Sequence, residues 1–481
     1  MDQPFYIYNT LSRSIEEFKA LRPGVVTYYS CGPTVYLPQH LGNMRCYLFY
    51  DTLRRALEFN GYRVRHVMNI TDVGHMTSDQ DAGEDKIEKT ARAEGRTPQE
   101  VADFYIGQFK DDLARLNLET PEAFCRATEH VPEMQALIAR ILERGFAYVT
   151  SSGVYFEVEK YRGANRSGRL SRQSLDEQHT AQRLEHSSDK RSPHDFALWV
   201  LNQPNHLMQW DSPWGRGYPG WHIECSAMSL AYFRAHVEGF DDTIDIHSGG
   251  IDHIAIHHEN EIAQSESATG KPFVRYFVHN AFLVGMEGEK ISKSAGRFPV
   301  LEDLIGADIH PLGFRLFCLG AKYRSQLAFS GDAVRAAAKK LEYFREFARN
   351  VPLEIAGSGE PDSAWTSEYQ ERFRTAVNND LNTPQALAVA LELVAESYRR
   401  SDRQIWQTLK SFDQILGLGL QAGAGLDELF PPEIDELISA RRQARERRDF
   451  KRSDELRAEL ERRGFIVKDH GDGTSSYAQR G

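Results

Sequence analysis

The sequence predicts an α/β fold built on a parallel β-sheet, and two observations support this prediction. Residues 25–31 form a strand-like apolar run, a helical pattern follows, and residues 64–70 form a second strand-like run. Strand, helix and strand in this order are the unit from which parallel sheets are built. Further strand-like runs at 244–247 and 275–284 come after a long interruption. We therefore expect two separated parts of the chain to contribute to one sheet.

The rest of the chain divides into an insertion and a helical C-terminal part. Residues 122–206 look inserted, because a helical pattern over 129–144 gives way to short strand-like pieces and a polar stretch dotted with arginine. Beyond Ser330 the pattern is helical, and a glycine-rich stretch followed by Pro431-Pro432 indicates another boundary. The expected domain limits are 1–121, 122–206, 207–330, 331–430 and 431–481.

Composition sets the outer bounds of the function. The 481 residues are 41% apolar and 26% charged, which is ordinary for a soluble globular protein. We expect no membrane segment and no signal peptide, because no run approaches the roughly 18 apolar residues of a span and the first residues lack an apolar core. Five scattered cysteines favour a reducing cytoplasm over a disulfide framework. With a net charge of −11, any nucleic-acid binding must use local basic surface.

Two short motifs indicate a phosphate-binding site. Lys290-Ile-Ser-Lys293-Ser, with glycines around it, suits a loop that surrounds a polyphosphate with charges and short donors. His40-Leu-Gly-Asn43 lies at the head of the first helical pattern, where the helix N-terminus favours an anion. Either motif alone is weak, because lysine–serine loops are common on solvated surfaces. In this order they favour nucleotide activation, and the sequence has neither a Gly-x-Gly-x-x-Gly nor a Walker loop to support other nucleotide folds.

A second group of residues has the composition of a metal site. His257 and Glu261 are four apart, so on a helix they share a face and could bind one ion. Cys31 and Cys225 each lie beside an expected strand end, and two thiolates would complete a tetrahedral zinc site. The alternative is that His257-His258 is only a polar helix start and that the cysteines are small core residues. Spacing alone leaves both interpretations open, because no Cys-x-x-Cys pair is present.

Taken together, the motifs resemble those of the cysteinyl-tRNA synthetases, and the resemblance runs in order from about residue 5 to 470. The segments that carry it are Cys31-Gly-Pro-Thr-Val-Tyr, His40-Leu-Gly-Asn43, Asn69-Ile-Thr-Asp72, Arg126-Ala-Thr-Glu-His130, Asp195-Phe-Ala-Leu-Trp199, Trp221-His-Ile-Glu-Cys225, His257-His-Glu-Asn-Glu261, Lys290-Ile-Ser-Lys293-Ser and Tyr323-Arg-Ser-Gln-Leu327. The resemblance implies a Rossmann-like catalytic domain with an inserted connective subdomain, then a helical bundle and a small C-terminal anticodon-binding domain.

The resemblance also assigns roles to individual residues. Four positions fall on the family's zinc ligands, where one zinc ion per chain binds the thiolate of the substrate: Cys31, Cys225, His257 and Glu261. Three match positions that line the amino-acid pocket: Gly32, Thr34 and Trp221. Six match the nucleotide site. The catalytic signature residues among them are His40, Asn43, Lys290 and Lys293, and the two that meet the ribose are Gly250 and Asp252. Without the resemblance, Trp221 would be taken for a core aromatic and Gly250-Ile-Asp252 for part of a turn.

The implied reaction joins L-cysteine to ATP, giving cysteinyl-adenylate and pyrophosphate, and then transfers cysteine to tRNA(Cys). Charge builds on the phosphates in the first step, so positioning and charge stabilisation should dominate catalysis. Mg²⁺ is expected to accompany ATP. A pocket without a metal discriminates between near-isosteres such as serine and cysteine by only about 10²-fold. Zinc binds the soft thiolate of cysteine in preference to the hydroxyl of serine. We expect a cytoplasmic monomer.

Two other functions stay open at this point. One is an ATP-dependent ligase that joins cysteine to a small amine, and the other is a non-catalytic paralogue that binds tRNA. Between Arg441 and Arg463 there are ten Lys/Arg and six Asp/Glu, and the expected role of this basic segment is anticodon recognition. A second basic group lies in the insertion: Arg162, Arg166, Arg169 and Arg172.

The chain departs from the family pattern in three places. Leu37 replaces a common aspartate, residues 74–88 form a longer acidic stretch, and a tail tryptophan is missing after Gly473-Thr474. The last change bears on the details of anticodon reading.

Overall fold

The computed structural model describes most of the chain. The described residues are 3–73, 85–165, 168–172, 189–203, 206–285, 299–351, 364–398, 402–420, 432–447, 449–469 and 475–479. Among them, no helix is both long enough and apolar enough to cross a membrane.

The N-terminal half is built around a five-stranded sheet in which every pairing is parallel, which confirms the expected α/β class. Its elements, with the first hairpin, are β1 (Tyr6–Asn9), β2 (Ser14–Glu17), β3 (Val25–Ser30), α1 (Leu41–Phe59), β4 (Arg63–Ile70), α2 (Lys86–Glu94), α3 (Pro98–Arg115) and β5 (Ala123–Arg126). The two remaining strands, β10 (Ile244–Gly250) and β11 (Val274–Asn280), come from the later part of the chain, and the order across the sheet is β11-β10-β3-β4-β5. The sheet therefore joins two separated parts of the sequence.

A four-stranded antiparallel sheet lies in the sequence between β5 and the return to the central sheet. This stretch contains a 3₁₀ turn (Ala127–Glu129), α4 (Val131–Glu143), β6 (Ala147–Val149), β7 (Gly153–Phe156), α5 (Val158–Asn165), β8 (Phe196–Leu201) and β9 (Gly217–Pro219). Trp199 and Phe156 are completely buried between this sheet and the helices that pack on it.

The chain then returns to the central sheet and continues into helices. The returning elements are α6 (Trp221–His236), β10 (Ile244–Gly250), a 3₁₀ turn (Ile251–His253), α7 (His257–Thr269), β11 (Val274–Asn280), β12 (Leu283–Val284), α8 (Leu301–Gly306), α9 (Pro311–Leu319) and β13 (Leu327–Ala328). The helical elements are α10 (Gly331–Asn350), α11 (Ala364–Asn378), α12 (Thr383–Ala395), a 3₁₀ turn (Glu396–Tyr398) and α13 (Asp402–Leu416). A helical hairpin and a β-hairpin end the chain: α14 (Pro432–Glu446), α15 (Phe450–Arg462), β14 (Phe465–Asp469) and β15 (Ser475–Gln479).

The expected continuous strand over 275–284 is wrong, because the structure interrupts it after Asn280. The carbonyls of Ala281 and Phe282 accept hydrogen bonds from Arg45 Nη1 at 2.9 and 2.5 Å. The Ala281 amide donates to the carbonyl of Tyr323 at 2.8 Å. These long-range partners occupy the backbone that a strand would need for its ladder, and sequence pattern does not report them.

A buried charge network joins the catalytic half to the helical part. Arg315, 1% exposed, donates to Asp51 Oδ2 at 2.5 Å and to the carbonyls of Leu116, Asn117 and Leu416. Asp51 also accepts from Arg55 Nε at 2.7 Å. Since Asp51 and Arg55 lie on α1, this network fixes α1 against α9, the end of α3 and the end of α13.

Candidate functional site

The carboxyl ends of β3 and β10 meet at one edge of the central sheet, because the two strands are parallel neighbours. Ser248 of β10 accepts a hydrogen bond from the Cys31 amide at 3.0 Å, which places the residues after β3 beside the last residues of β10. A cavity of about 870 Å³ opens at this edge. Residues after two neighbouring strand ends thus share one binding space, as is usual in parallel α/β sheets.

Most of the residues expected to bind substrate line this cavity. From the amino-acid set, the lining includes Gly32, Thr34 and Trp221. From the nucleotide set, it includes His40, Asn43, Gly250 and Asp252. Lys290 and Lys293 lie outside the described residues, although Leu283 and Pro299 on either side of that segment both line the cavity.

The four expected metal ligands come together at the cavity wall. One ligand atom each from Cys31, Cys225, His257 and Glu261 can be chosen so that all four lie within 4.8 Å of one another. All four residues are buried, with exposures of at most 5%. Because Cys31 and His257 line the cavity, the cluster adjoins the space where a substrate would bind. Two thiols, one imidazole and one carboxylate are donors that zinc accepts in a tetrahedral site.

The contacts inside this cluster indicate room for a cation. His257 Nε2 lies 2.8 Å from Glu261 Oε1, yet among the described residues that oxygen has no hydrogen-bond partner. A buried carboxylate oxygen without a donor is unfavourable unless something positive approaches it. The residues therefore fit a metal ion by their chemistry and by the unsatisfied atom that they leave.

The ionisation of these groups also suits a cation. The pKa of Cys225 falls to about 6, chiefly through the hydrogen bond from Cys31, whose own pKa burial raises well above its ordinary value. Burial alone would lower the pKa of His257, but Glu261 and Cys225 outweigh it and raise that pKa to about 10. Burial alone would raise the pKa of Glu261, but His247 and His257 hold it far below its ordinary value. Without an ion, the cluster thus carries a thiolate, a carboxylate and a protonated His257 at neutral pH, and a bound metal ion would take the place of the His257 proton.

A chain of hydrogen bonds supports Cys31 from behind. Thr10 Oγ1 lies 2.8 Å from His279 Nδ1, His279 Nε2 lies 2.8 Å from His258 Nδ1, and His258 Nε2 lies 3.2 Å from the Cys31 sulfur. Burial lowers the pKa values of His258 and His279 well below the ordinary value, so both imidazoles in this row of hydrogen bonds are neutral. Neutral imidazoles in a fixed chain hold the sulfur in place without adding charge.

His247 supports Glu261 in the same way. Its Nε2 lies 2.9 Å from Glu261 Oε2, and its Nδ1 lies 3.0 Å from the carbonyl oxygen of Tyr29. Cys31 and Glu261 also form a second possible ligand set with His247 and His258. Both ring nitrogens of these two histidines are already within hydrogen-bond distance of other groups: His247 of Glu261 and the Tyr29 carbonyl, and His258 of Cys31 and His279. Sequence reasoning missed His247, His258 and His279. A histidine in an otherwise apolar strand, as at His247, is the signal that could have found them.

The start of α1 presents His40 to the cavity. His40 is the residue before the helix, and its Nδ1 accepts from the Asn43 amide at 3.2 Å. A Cβ at position 42 would lie 2.9 Å from His40 Nδ1, so glycine is needed there. The capping bond fixes the imidazole at the N-terminus of a long helix, where the helix dipole favours an anion.

The floor of the cavity is held by a short polar chain. Asn69 Oδ1 accepts from the Gly32 amide at 2.7 Å, and a Cβ at Gly32 would lie 1.7 Å from the Asn69 carbonyl oxygen. Asn69 Nδ2 donates to Thr71 Oγ1, which donates to Glu224 Oε2 at 3.1 Å. Asn69 and Thr71 line the cavity, and so does Lys86. The Asn69-Ile-Thr-Asp72 motif thus acts by holding the Cys31-Gly32 turn.

Cys46 and Trp221 both line the cavity, although pattern alone would make Trp221 a core aromatic. Cys46 also packs against the main hydrophobic core, and its sulfur accepts from Asn280 Nδ2 at 3.2 Å. Trp221 is the first residue of α6, and its ring lies 4.5 Å from the His257 ring, centroid to centroid. Trp221 therefore lines the cavity beside the cluster of four ligands.

Three family models match the chain. Residues 17–339 match a model described as the tRNA synthetases class I (C) catalytic domain, and residues 372–421 match the DALR domain. Residues 427–475 match the cysteinyl-tRNA ligase anticodon binding domain.

Curated relatives and solved structures agree with these matches. The cysteine–tRNA ligase of Chlorobaculum tepidum is 42% identical over 98% of this chain and 98% of the relative, and that of Treponema denticola is 41% identical over the same shares. A LeuRS–tRNA–LeuAMS complex of Agrobacterium radiobacter K84 superposes with a TM-score of 0.59 at 11% identity, covering 84% of both chains. Methionyl-tRNA synthetase of Mycobacterium tuberculosis in complex with methionyl-adenylate gives 0.54 at 15% identity, covering 82% of this chain and 90% of that chain. At these identities the structures show a shared fold.

Proposed function

This chain belongs to the cysteine–tRNA ligase family of class I aminoacyl-tRNA synthetases, and we propose that its cavity binds cysteine with the thiol directed at the four buried ligands. The family's reaction is the ATP-dependent attachment of cysteine to tRNA. The observation that carries the proposal is the cluster of Cys31, Cys225, His257 and Glu261 beside the cavity at the carboxyl edge of the sheet.

One zinc ion held by these four residues would select the substrate. Zinc supplies a soft Lewis acid that prefers a thiolate to an alcohol and keeps a bound thiol deprotonated. The chain's own part is to hold the ligands: the Thr10–His279–His258 chain fixes Cys31, and His247 fixes Glu261. A carboxylate among the ligands is typical of a working site, since structural zinc sites are usually formed by Cys and His alone.

The amino-acid and nucleotide pockets divide the rest of the cavity. We assign Gly32, Thr34 and Trp221 to the amino acid, because all three line the cavity, Gly32 directly follows Cys31, and the Trp221 ring lies 4.5 Å from the His257 ring. Gly250 and Asp252 would meet the ribose. His40 and Asn43, together with Lys290 and Lys293, would stabilise the charge that builds on the phosphates of ATP and its Mg²⁺. Since the cysteine carboxylate and the tRNA hydroxyl are the nucleophiles, the protein needs only to position and to neutralise charge.

The C-terminal part would recognise tRNA(Cys). Its matches to the DALR domain and to the anticodon binding domain support this role. We propose the five domains expected from the sequence, with one correction: the insertion expected over 122–206 begins after β5, which pairs in the central sheet, and extends through β9, which pairs in the four-stranded sheet. We also propose a monomer that works in the cytoplasm. The relatives do not favour the ligase for small amines or the non-catalytic paralogue, since they are named cysteine–tRNA ligases over nearly the full length of this chain.

Cysteine-dependent exchange between ATP and pyrophosphate tests the proposal. The Cys225→Ser variant should lose zinc and should lose its preference for cysteine over serine, because a ligand of the selecting ion is gone. The matched control is Cys125→Ser, since Cys125 is equally buried but is absent from the ligand cluster. A Cys225→Ser protein that keeps both zinc and selectivity would contradict the assignment.

A further inference from the structure

Three buried ionisable side chains form a second cluster outside the cavity. Asp85 is 4% exposed, Glu88 4% and His206 7%. One atom from each can be chosen so that all lie within 4.8 Å of one another. Asp85 and Glu88 lie at the start of α2, whereas His206 lies in the segment between β8 and β9. The cluster therefore joins a helix of the catalytic half to the four-stranded sheet.

Glu88 fixes the orientation of the His206 ring. Glu88 Oε1 lies 2.5 Å from His206 Nδ1 and accepts from the Leu207 amide at 2.7 Å. The Tyr218 ring lies 4.0 Å from the imidazole, centroid to centroid. A carboxylate beside Nδ1 favours a proton on that nitrogen, which leaves Nε2 as the atom that can bind an ion.

Asp85 faces this nitrogen with an unsatisfied oxygen. Its Oδ1 accepts from the Glu88 amide at 2.9 Å and caps α2, while Oδ2 lies 3.5 Å from His206 Nε2. Among the described residues, neither Oδ2 nor Nε2 has a hydrogen-bond partner. Two ligands at 2.0–2.1 Å from one tetrahedral ion lie about 3.3 Å apart, so 3.5 Å suits two atoms that share an ion. It is longer than the roughly 2.7–2.9 Å of a hydrogen bond between charged groups.

The charges of the cluster also call for a cation. Lys86 lies between the two carboxylates in the sequence but lines the cavity, with Nζ 5.8 Å from the Tyr36 ring centroid. Two carboxylates thus share one imidazole in a buried place, which is a costly arrangement without further positive charge.

We propose that Asp85, Glu88 and His206 form a second metal site, which takes a divalent cation of the zinc type. Asp85 Oδ2 and His206 Nε2 bind the ion directly, Glu88 orients the imidazole, and water fills the remaining positions. An imidazole with carboxylates suits zinc or a similar transition ion better than Mg²⁺ or Ca²⁺, which prefer oxygen ligands alone. The ion would hold the start of α2, and with it Lys86, in a fixed position relative to the four-stranded sheet.

Zinc stoichiometry of the full chain tests this site. Protein stripped with a chelator is equilibrated with Zn²⁺ at a buffered nanomolar free concentration, and bound metal is measured by atomic absorption. We expect two ions per chain in the wild type, one of them in the cavity cluster, and one in Asp85→Asn or His206→Gln. Asp85→Asn should keep the fold, because asparagine caps a helix as well as aspartate does.

Cobalt and a third variant separate this site from the cavity site. With Co²⁺, the sulfur-to-cobalt band of the cavity site should stay unchanged in Asp85→Asn and His206→Gln, since neither residue belongs to that cluster. Glu88→Gln should weaken the second ion by about 10- to 100-fold, because it removes the group that orients the ring. Wild-type protein that binds a single ion, or His206→Gln protein that keeps two, overturns the proposal. The proposal would also be overturned if these variants lowered the melting temperature equally with and without zinc. In that case His206 would only pair with the carboxylates, without a metal ion.

Discussion

His257 Nε2 and Glu261 Oε1 lie 2.8 Å apart on successive turns of α7, and both side chains are buried. The oxygen nevertheless lacks a hydrogen bond among the described residues. Such a pair, with two cysteine thiols within 4.8 Å, offers the ligand atoms of a metal site. Helix α7 supplies half of this candidate ligand set locally, and the end of β3 and the N-terminal part of α6 bring the other half.

His40→Asn should separate helix capping from phosphate contact. Asparagine can still accept from the Asn43 amide, so the free energy of unfolding should change by only a few tenths of a kcal/mol. The imidazole is lost, and we expect adenylate formation to slow by about 10²–10³-fold. Pyrophosphate exchange and urea unfolding measure the two effects. Thr97→Asn, the same kind of cap change at the start of α3, should leave exchange untouched.

Arg315→Met should destabilise the protein by about 3–5 kcal/mol, because it leaves Asp51 as a buried charge with one cation fewer. Urea unfolding measures the change. Arg335→Met is the control, since Arg335 pairs with an exposed Asp332 and should contribute less than about 0.5 kcal/mol. Restoration of most of the stability by adding Asp51→Asn would support the mechanism. An equal effect at Arg315 and Arg335 would rule it out.

Asp112→Asn should make stability at alkaline pH higher than in the wild type. Burial raises the pKa of Asp112 to about 7, and Glu302 adds to this. The native state therefore holds a proton that the unfolded chain releases above about pH 4. Stability contributed by this group is present below that pH and is lost as the pH rises toward 7, by at most about 1.4 kcal/mol per unit.

Urea unfolding at pH 5 and at pH 8 tests this sign. The difference between Asp112→Asn and wild type should grow toward pH 8, because only the wild type must bury a carboxylate there. Asp111→Asn is the matched control, since Asp111 is the preceding residue and its side chain is exposed. A difference that is the same at both pH values would show that Asp112 does not titrate in the folded protein.

Lys451→Glu should weaken tRNA binding without changing cysteine activation. Lys451 is exposed at the start of α15, beside Phe450, which is 62% exposed. Some arginines of this helix form ion pairs with glutamates of the same helix, as Arg457 does with Glu461 at 3.0 Å. If Lys451 contacts a phosphate, its loss should lower the slope of log affinity against log salt by about 0.7–0.9.

Filter binding over a range of salt concentrations measures that slope. Phe450→Ala should weaken binding by about 1–3 kcal/mol if a base stacks on the ring. Lys271→Glu, at an exposed position after α7, is the control. Unchanged binding in both α15 variants would mean that this face of the hairpin is only a solvated surface.

The sequence by itself predicted the class of the fold, and it contains the two nucleotide motifs and the four candidate ligand residues. Strand and helix periodicity is local, so the β3–α1–β4 unit could be predicted from it. The pairing of His257 with Glu261 also follows from helix geometry alone, because residues four apart share a face. The choice between a core cysteine and a ligand at Cys31 could not be made from spacing, and there the resemblance decided.

Only the tertiary structure decided which distant residues meet. Cys31 follows the end of β3 and Cys225 lies near the start of α6, and only the packed chain brings their sulfurs together. The histidines behind Cys31 come from β11 and α7, and His206 reaches Asp85 from the segment between β8 and β9. A buried polar group must find a partner wherever the fold places one, whatever its distance along the chain. For that reason the supporting hydrogen bonds, and the atoms left without one, are properties of the packed chain and not of any segment of its sequence.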